Sequence, residues 1–247
     1  MSGKRSATKS ALMFQIMALI TLILIPLIVL RTLTNPSDLV TQPQLIGIIF
    51  IVICVLGAIV GVRPTSFSRS VSSKSTQGGE DKKQVPEELK EKSTVRGHHY
   101  SCDSFSDHVI RIGSNVYCVG CTGLTTGAMI AILVGLAYFL LGVSIFDDVV
   151  VFWVGFAGVF IGLVQHQFYR LFSIRNGFFR FSLNVVFVVG ASLLLVGSNR
   201  IAGDLIVDLY IICVILLWII TRIVMSKGEH ERICRQCDVD SCSHQSF

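Results

Sequence analysis

Of the eight cysteines, all but two gather in two short stretches that also carry histidine. The first runs His98-His99-Tyr-Ser-Cys102, then His108, then Cys118-Val-Gly-Cys121. The second runs His230-Glu-Arg-Ile-Cys234-Arg-Gln-Cys237, then Cys242-Ser-His244. Each contains a Cys-x-x-Cys pair, a spacing that lets one turn of chain aim two thiolates at one ion. Zinc closes a structural site with four nitrogen or sulfur ligands in a tetrahedron. The first stretch offers His99, Cys102, Cys118 and Cys121; the second offers Cys234, Cys237, Cys242 and His244. One ion per cluster, and one ion shared by Cys118, Cys121, Cys234 and Cys237, both satisfy zinc. Iron–sulfur is the weaker choice, because histidine beside the thiols suits zinc better. Redox-active thiols, and disulfides in an oxidising compartment, are the competing chemistries. Cys54 and Cys213 stand alone in apolar runs and read as small hydrophobes.

The elements that must hold these clusters are membrane helices. Hydrophobic residues make up 52% of the 247 and charged residues only 15%, well below the roughly one quarter usual in soluble domains. A spanning helix needs roughly 20 apolar residues. Six runs qualify, at 11–30, 45–62, 123–143, 149–164, 181–197 and 205–224. The first is too long for a cleaved signal peptide and no small-residue cleavage site follows it. The fourth and fifth are the shortest and most polar, and a re-entrant course for one of them is the alternative. Of the 21 lysines and arginines, only Arg31 and Arg200 fall on one side of this arrangement. The positive-inside rule then places both termini, and both clusters, on the cytoplasmic side of a cell membrane. Basic residues spread over loops in this way exclude a nucleic-acid face, despite the net charge of +5. The expected fold class is all-α: a polytopic bundle of about six transmembrane helices with a small cytoplasmic Cys/His metal-binding module. Residues 1–63 form an N-terminal hairpin that anchors the chain. Residues 64–96, Ser-rich and then highly charged, have no apolar face and read as a disordered cytoplasmic linker. Residues 97–247 form a four-helix module with a cluster at each end.

Small residues recur every fourth position at Gly123, Gly127, Ala131 and Gly135, on one face of the third helix. The fourth offers Gly155, Gly158 and Gly162, three and four apart. Close backbone approach along such stripes holds membrane helices together, so the third and fourth helices are expected to pack on each other; a homo-oligomer contact is the alternative. Asp208 falls within the sixth run, four residues after Asp204. An ionisable group in a span signals function by default; the competing reading puts both at the outer interface, reached by water and paired with Arg200. His166 reads as an interfacial histidine, with a ligand or proton carrier as the sharper option. Asn184 is expected to hydrogen-bond between helices.

The run Cys118-Val-Gly-Cys-Thr-Gly-Leu-Thr-Thr-Gly127 resembles a family of small prokaryotic integral membrane proteins of unknown function, in which a Cys-x-x-Cys-Thr-Gly motif opens a membrane helix. The likeness covers roughly residues 98–135. Upstream, His98, His99 and Cys102 stand where that family has a Cys-His pair followed by Arg-Ser. The resemblance implies the architecture and no chemistry. No phosphate-cradling loop, His-Glu-x-x-His or serine elbow occurs. The expected function is a zinc-binding membrane protein with a structural or protein-docking role at the cytoplasmic face. The alternatives are a metalloenzyme using Asp103, Asp107 or Glu231, a thiol redox protein, and a small transporter using Asp208 and His166.

Overall fold

In hydrocarbon a backbone must satisfy its own hydrogen bonds, and a long apolar run does so by coiling. The computed structural model describes residues 2–34, 42–62, 109–112, 115–143, 146–172 and 176–234. Among them are six helices long and apolar enough to cross a membrane. These are α1 (Ser2–Thr34), α2 (Pro43–Val62), α3 (Val119–Gly135), α4 (Asp148–Phe172), α5 (Gly177–Ala202) and α6 (Leu205–Cys234). This is the architecture of a multi-pass membrane protein. Large apolar side chains such as Leu33, Leu133 and Phe178 point outward, more than half exposed, as a lipid-facing surface requires.

The fourth and fifth helices are full-length, and both extend past their apolar runs. α5 starts on an N-cap, with Asn176 accepting from the Phe178 amide at 2.9 Å. It ends at Gly203, whose φ of 58° is the left-handed conformation glycine adopts without strain. Asp204 then caps α6 by accepting from the Ile206 amide at 2.7 Å. α6 does not stop at residue 224. It continues to Cys234, so this cysteine lies on the helix and not on a segment beyond it.

The described residues are helical apart from a short β-hairpin ahead of α3. β1 (Val109–Ile112) pairs antiparallel with β2 (Asn115–Cys118), with Val109 opposite Cys118. Its signal in the sequence is a Val-Ile-Arg-Ile run and an Asn-Val-Tyr-Cys run separated by Gly113-Ser114. α3 ends in a π-helical turn, Leu136–Leu140, which turns Tyr138 toward α5.

The glycine stripes work, but on a different partner. A Cβ on Gly123 would lie 2.7 Å from the Phe181 carbonyl, and one on Gly127 would lie 2.9 Å from Val188, both on α5. Gly155, Gly158 and Gly162 of α4 also meet α5, at Leu194, Gly190 and Phe187. The expected packing of the third helix on the fourth is therefore wrong. α5 answers with its own glycines, Gly190 against Gly158 and Gly197 against Phe152, and lies between α3 and α4. Its span is 61% buried, against 22% for α2. The first two helices do not pack as a hairpin on each other. α2 lies along α3 and α1 along α6, where Trp218 Nε1 donates to the Ala18 carbonyl at 3.1 Å.

Candidate functional site

Alternating helix directions bring particular ends together. The start of α3 meets the start of α5 through Gly123 and Asn184. Asn184 accepts a hydrogen bond from Arg222, late in α6. Arg222 also donates to the Gly162 carbonyl of α4 at 2.8 Å. Gln15, early in α1, donates to the neighbouring Leu163 carbonyl at 3.1 Å. The start of α3 and the far end of α6 therefore share one end of the bundle, together with the start of α1. This is the cysteine end.

Cys118 is the last residue of β2 and the N-cap of α3, with extended backbone (φ −71°, ψ 122°). Cys121 follows on the first helical turn. That single turn makes the two thiols neighbours. Cys118 is buried and Cys121 half-buried. Thr122 steadies the turn by donating to the Cys118 carbonyl at 2.8 Å. Two adjacent thiols on a fixed turn can bite one soft ion, or close on each other. The pair thus fits half of a tetrahedral zinc site.

His99, Cys102, Cys237, Cys242 and His244 lie outside the described residues, as do His98, Asp103, Asp107 and His108. Cys234, His230 and Glu231 lie on the last turns of α6. Among the described residues no group of three or more His, Cys, Asp or Glu gathers around one point. The structure thus brings Cys118 and Cys121 together and places Cys234 on the helix that ends on their side.

A polar cluster missed from the sequence lies just inside the cysteine end. Arg222 reaches Asn184, Gly162 and, with the carboxamide of Gln165 turned oxygen-first, both its Nη atoms reach Gln165. Its guanidinium carbon also sits 5.1 Å from the centre of the Phe187 ring, a cation–π contact. Asn184 and Gln165 are buried. Arg222 reads as a loop-side charge in the sequence because it lies near the end of its apolar run. Only the fold shows it pointing inward. The interhelical bond expected of Asn184 is present.

The far end carries a second polar set. Tyr138 donates to Asn199 Oδ1 at 2.8 Å, and Asn199 Nδ2 donates to Asp208 at 2.7 Å. Asp208 is fully buried, so it is not the water-reached interfacial acid of the competing reading. Arg200 forms an ion pair with Asp148 and donates to the Phe146 carbonyl at 2.9 Å. His166 follows Gln165 on α4, near the cysteine end, so Asp208 and His166 lie at opposite ends and do not form one site. Cys54 is buried in the core and Cys213 faces outward. Comparison with protein-family models, with curated proteins and with solved structures finds no match.

Proposed function

We propose that the protein is a multi-pass cell-membrane protein that carries a structural zinc ion at the cytoplasmic end of its bundle. His99, Cys102, Cys118 and Cys121 hold the ion. The observation that carries this reading is the hairpin register. Val109 stands opposite Cys118, so the strand that begins seven residues after Cys102 lies beside the helix start that carries the two thiols. The length of α6 favours one ion per cluster over a shared one. Cys234 lies twelve residues beyond Arg222, about 18 Å further along the helix axis, whereas Cys118 starts at the membrane edge. Cys234, Cys237, Cys242 and His244 then form a second centre further out, able to order the end of α6 or dock a partner protein. The distribution of lysine and arginine supports the cytoplasmic assignment. A closed four-ligand site leaves no position for water and would contribute folding energy rather than catalysis.

Elemental analysis of the purified chain tests this. Two zinc ions per chain are expected in the wild type, and one fewer in a Cys118→Ser/Cys121→Ser variant. Equal zinc in the two would overturn the assignment.

One observation favours a second reading, a thiol redox pair. The two thiols are neighbours on one helical turn, the arrangement in which a Cys-x-x-Cys pair can close on itself. Reversible closure to a disulfide in zinc-free protein, read by differential alkylation and mass, would support it.

A further inference from the structure

We propose that Arg222, acting through Asn184, is a positioning residue for the Cys118/Cys121 site. This rests on the zinc reading above and extends it inward, to a charge that no ligand list contains.

Gly120 shows how near the two groups come. A Cβ on it would lie 3.9 Å from Cys118 Sγ and 4.0 Å from Asn184 Nδ2. The thiol and the amide therefore flank the same point, and the missing side chain leaves the space between them open. Asn184 is fixed on both sides. Its Nδ2 donates to the Arg180 carbonyl at 2.8 Å, and its Oδ1 accepts from Arg222. Arg222 is itself fixed by the Gly162 carbonyl, by Gln165 and by the Phe187 ring. An arginine turned into a bundle is costly and implies a purpose. Zinc with three thiolates and one imidazole carries one net negative charge. A cation bonded to the amide that lines the far side of the Gly120 gap supplies a counter-charge on that side, and groups beyond the ligands commonly tune metal affinity 10–100-fold.

Linkage makes the effect reciprocal. Whatever Arg222 adds to zinc binding, zinc adds to the hold of α6 on α4 and α5. The test uses the full chain in nanodiscs, as wild type, Arg222→Gln and Arg222→Lys. Zinc affinity is read by chelator competition, and melting temperature with and without zinc. Arg222→Gln is expected to lose about tenfold in affinity and to show a smaller rise in melting temperature on zinc addition. Arg222→Lys is expected to retain part of both. A purely structural arginine would lower both melting temperatures equally and leave affinity unchanged, which would overturn the proposal. Should Arg222→Gln fail to fold, Asn184→Ala breaks the same link, and wild-type zinc affinity in that variant would overturn the proposal equally. A wild type that binds no zinc would instead remove the metal reading, and this link with it.

Discussion

Two residues decide most at the residue scale, Gly120 and Asp208. Alanine at position 120 should be tolerated, since its Cβ meets only ordinary contacts at 3.9 and 4.0 Å. Valine should wedge Asn184 from Cys118 and lower zinc affinity with little change in melting temperature of the zinc-free protein. Equal zinc affinity in Gly120→Ala and Gly120→Val would contradict this. At the far end, Tyr138→Phe removes one bond to Asn199 and should cost about 0.6 kcal/mol, the average for hydrogen bonds between membrane helices. Asp208→Leu should cost more, about 1–3 kcal/mol, because it takes the acceptor from a buried amide. Unfolding in mixed detergent, compared across the two variants, checks the order. The cysteine spacing was legible in the sequence because a Cys-x-x-Cys pair is a local property of one turn. Arg222 was not, because nothing local says which way a side chain near a helix end will point.

Helix contacts are where glycine matters most. A Cβ on Gly197 would stand 2.6 Å from the Phe152 backbone, and backbone cannot swing aside. Gly197→Val should therefore separate α4 from α5 and cost about 1–3 kcal/mol or more. Gly57 has nothing within 4 Å of its Cβ position, and Gly57→Ala should be close to neutral. Thermal melts of the two variants give the comparison; equal losses would mean that α5 is not held by close backbone approach. The stripes were readable as stripes, because periodicity is a property of one helix. Their partner was not, because two glycine-bearing helices can meet each other or a third helix that carries glycines of its own. α5 does carry them, at Gly190 and Gly197, interleaved with buried Ser192, Ser198 and Asn199.

For the molecule as a whole, the prediction concerns sidedness. Thr34 and Ser226 lie at opposite ends of the bundle, both exposed. A cysteine replacing Thr34 should take an impermeant maleimide in intact cells, beyond the label on the unsubstituted chain. One replacing Ser226 should take it only after permeabilisation. The reverse pattern would put the cysteine clusters in an oxidising compartment, where disulfides replace zinc as the expected chemistry. Six spans with both helical termini at one end bring the start of α3 and the end of α6 to the same side.

Spans, cluster spacing and charge bias could be read from the chain alone, because each depends on composition within a window of a few turns. Hydrophobic length alone makes a helix in lipid. The lateral order of the helices, the inward turn of Arg222 and the burial of Asp208 were decided by tertiary structure. Each depends on which surfaces meet, and lipid covers any apolar face as readily as another helix does, so hydropathy leaves that choice to shape and to a few polar bonds.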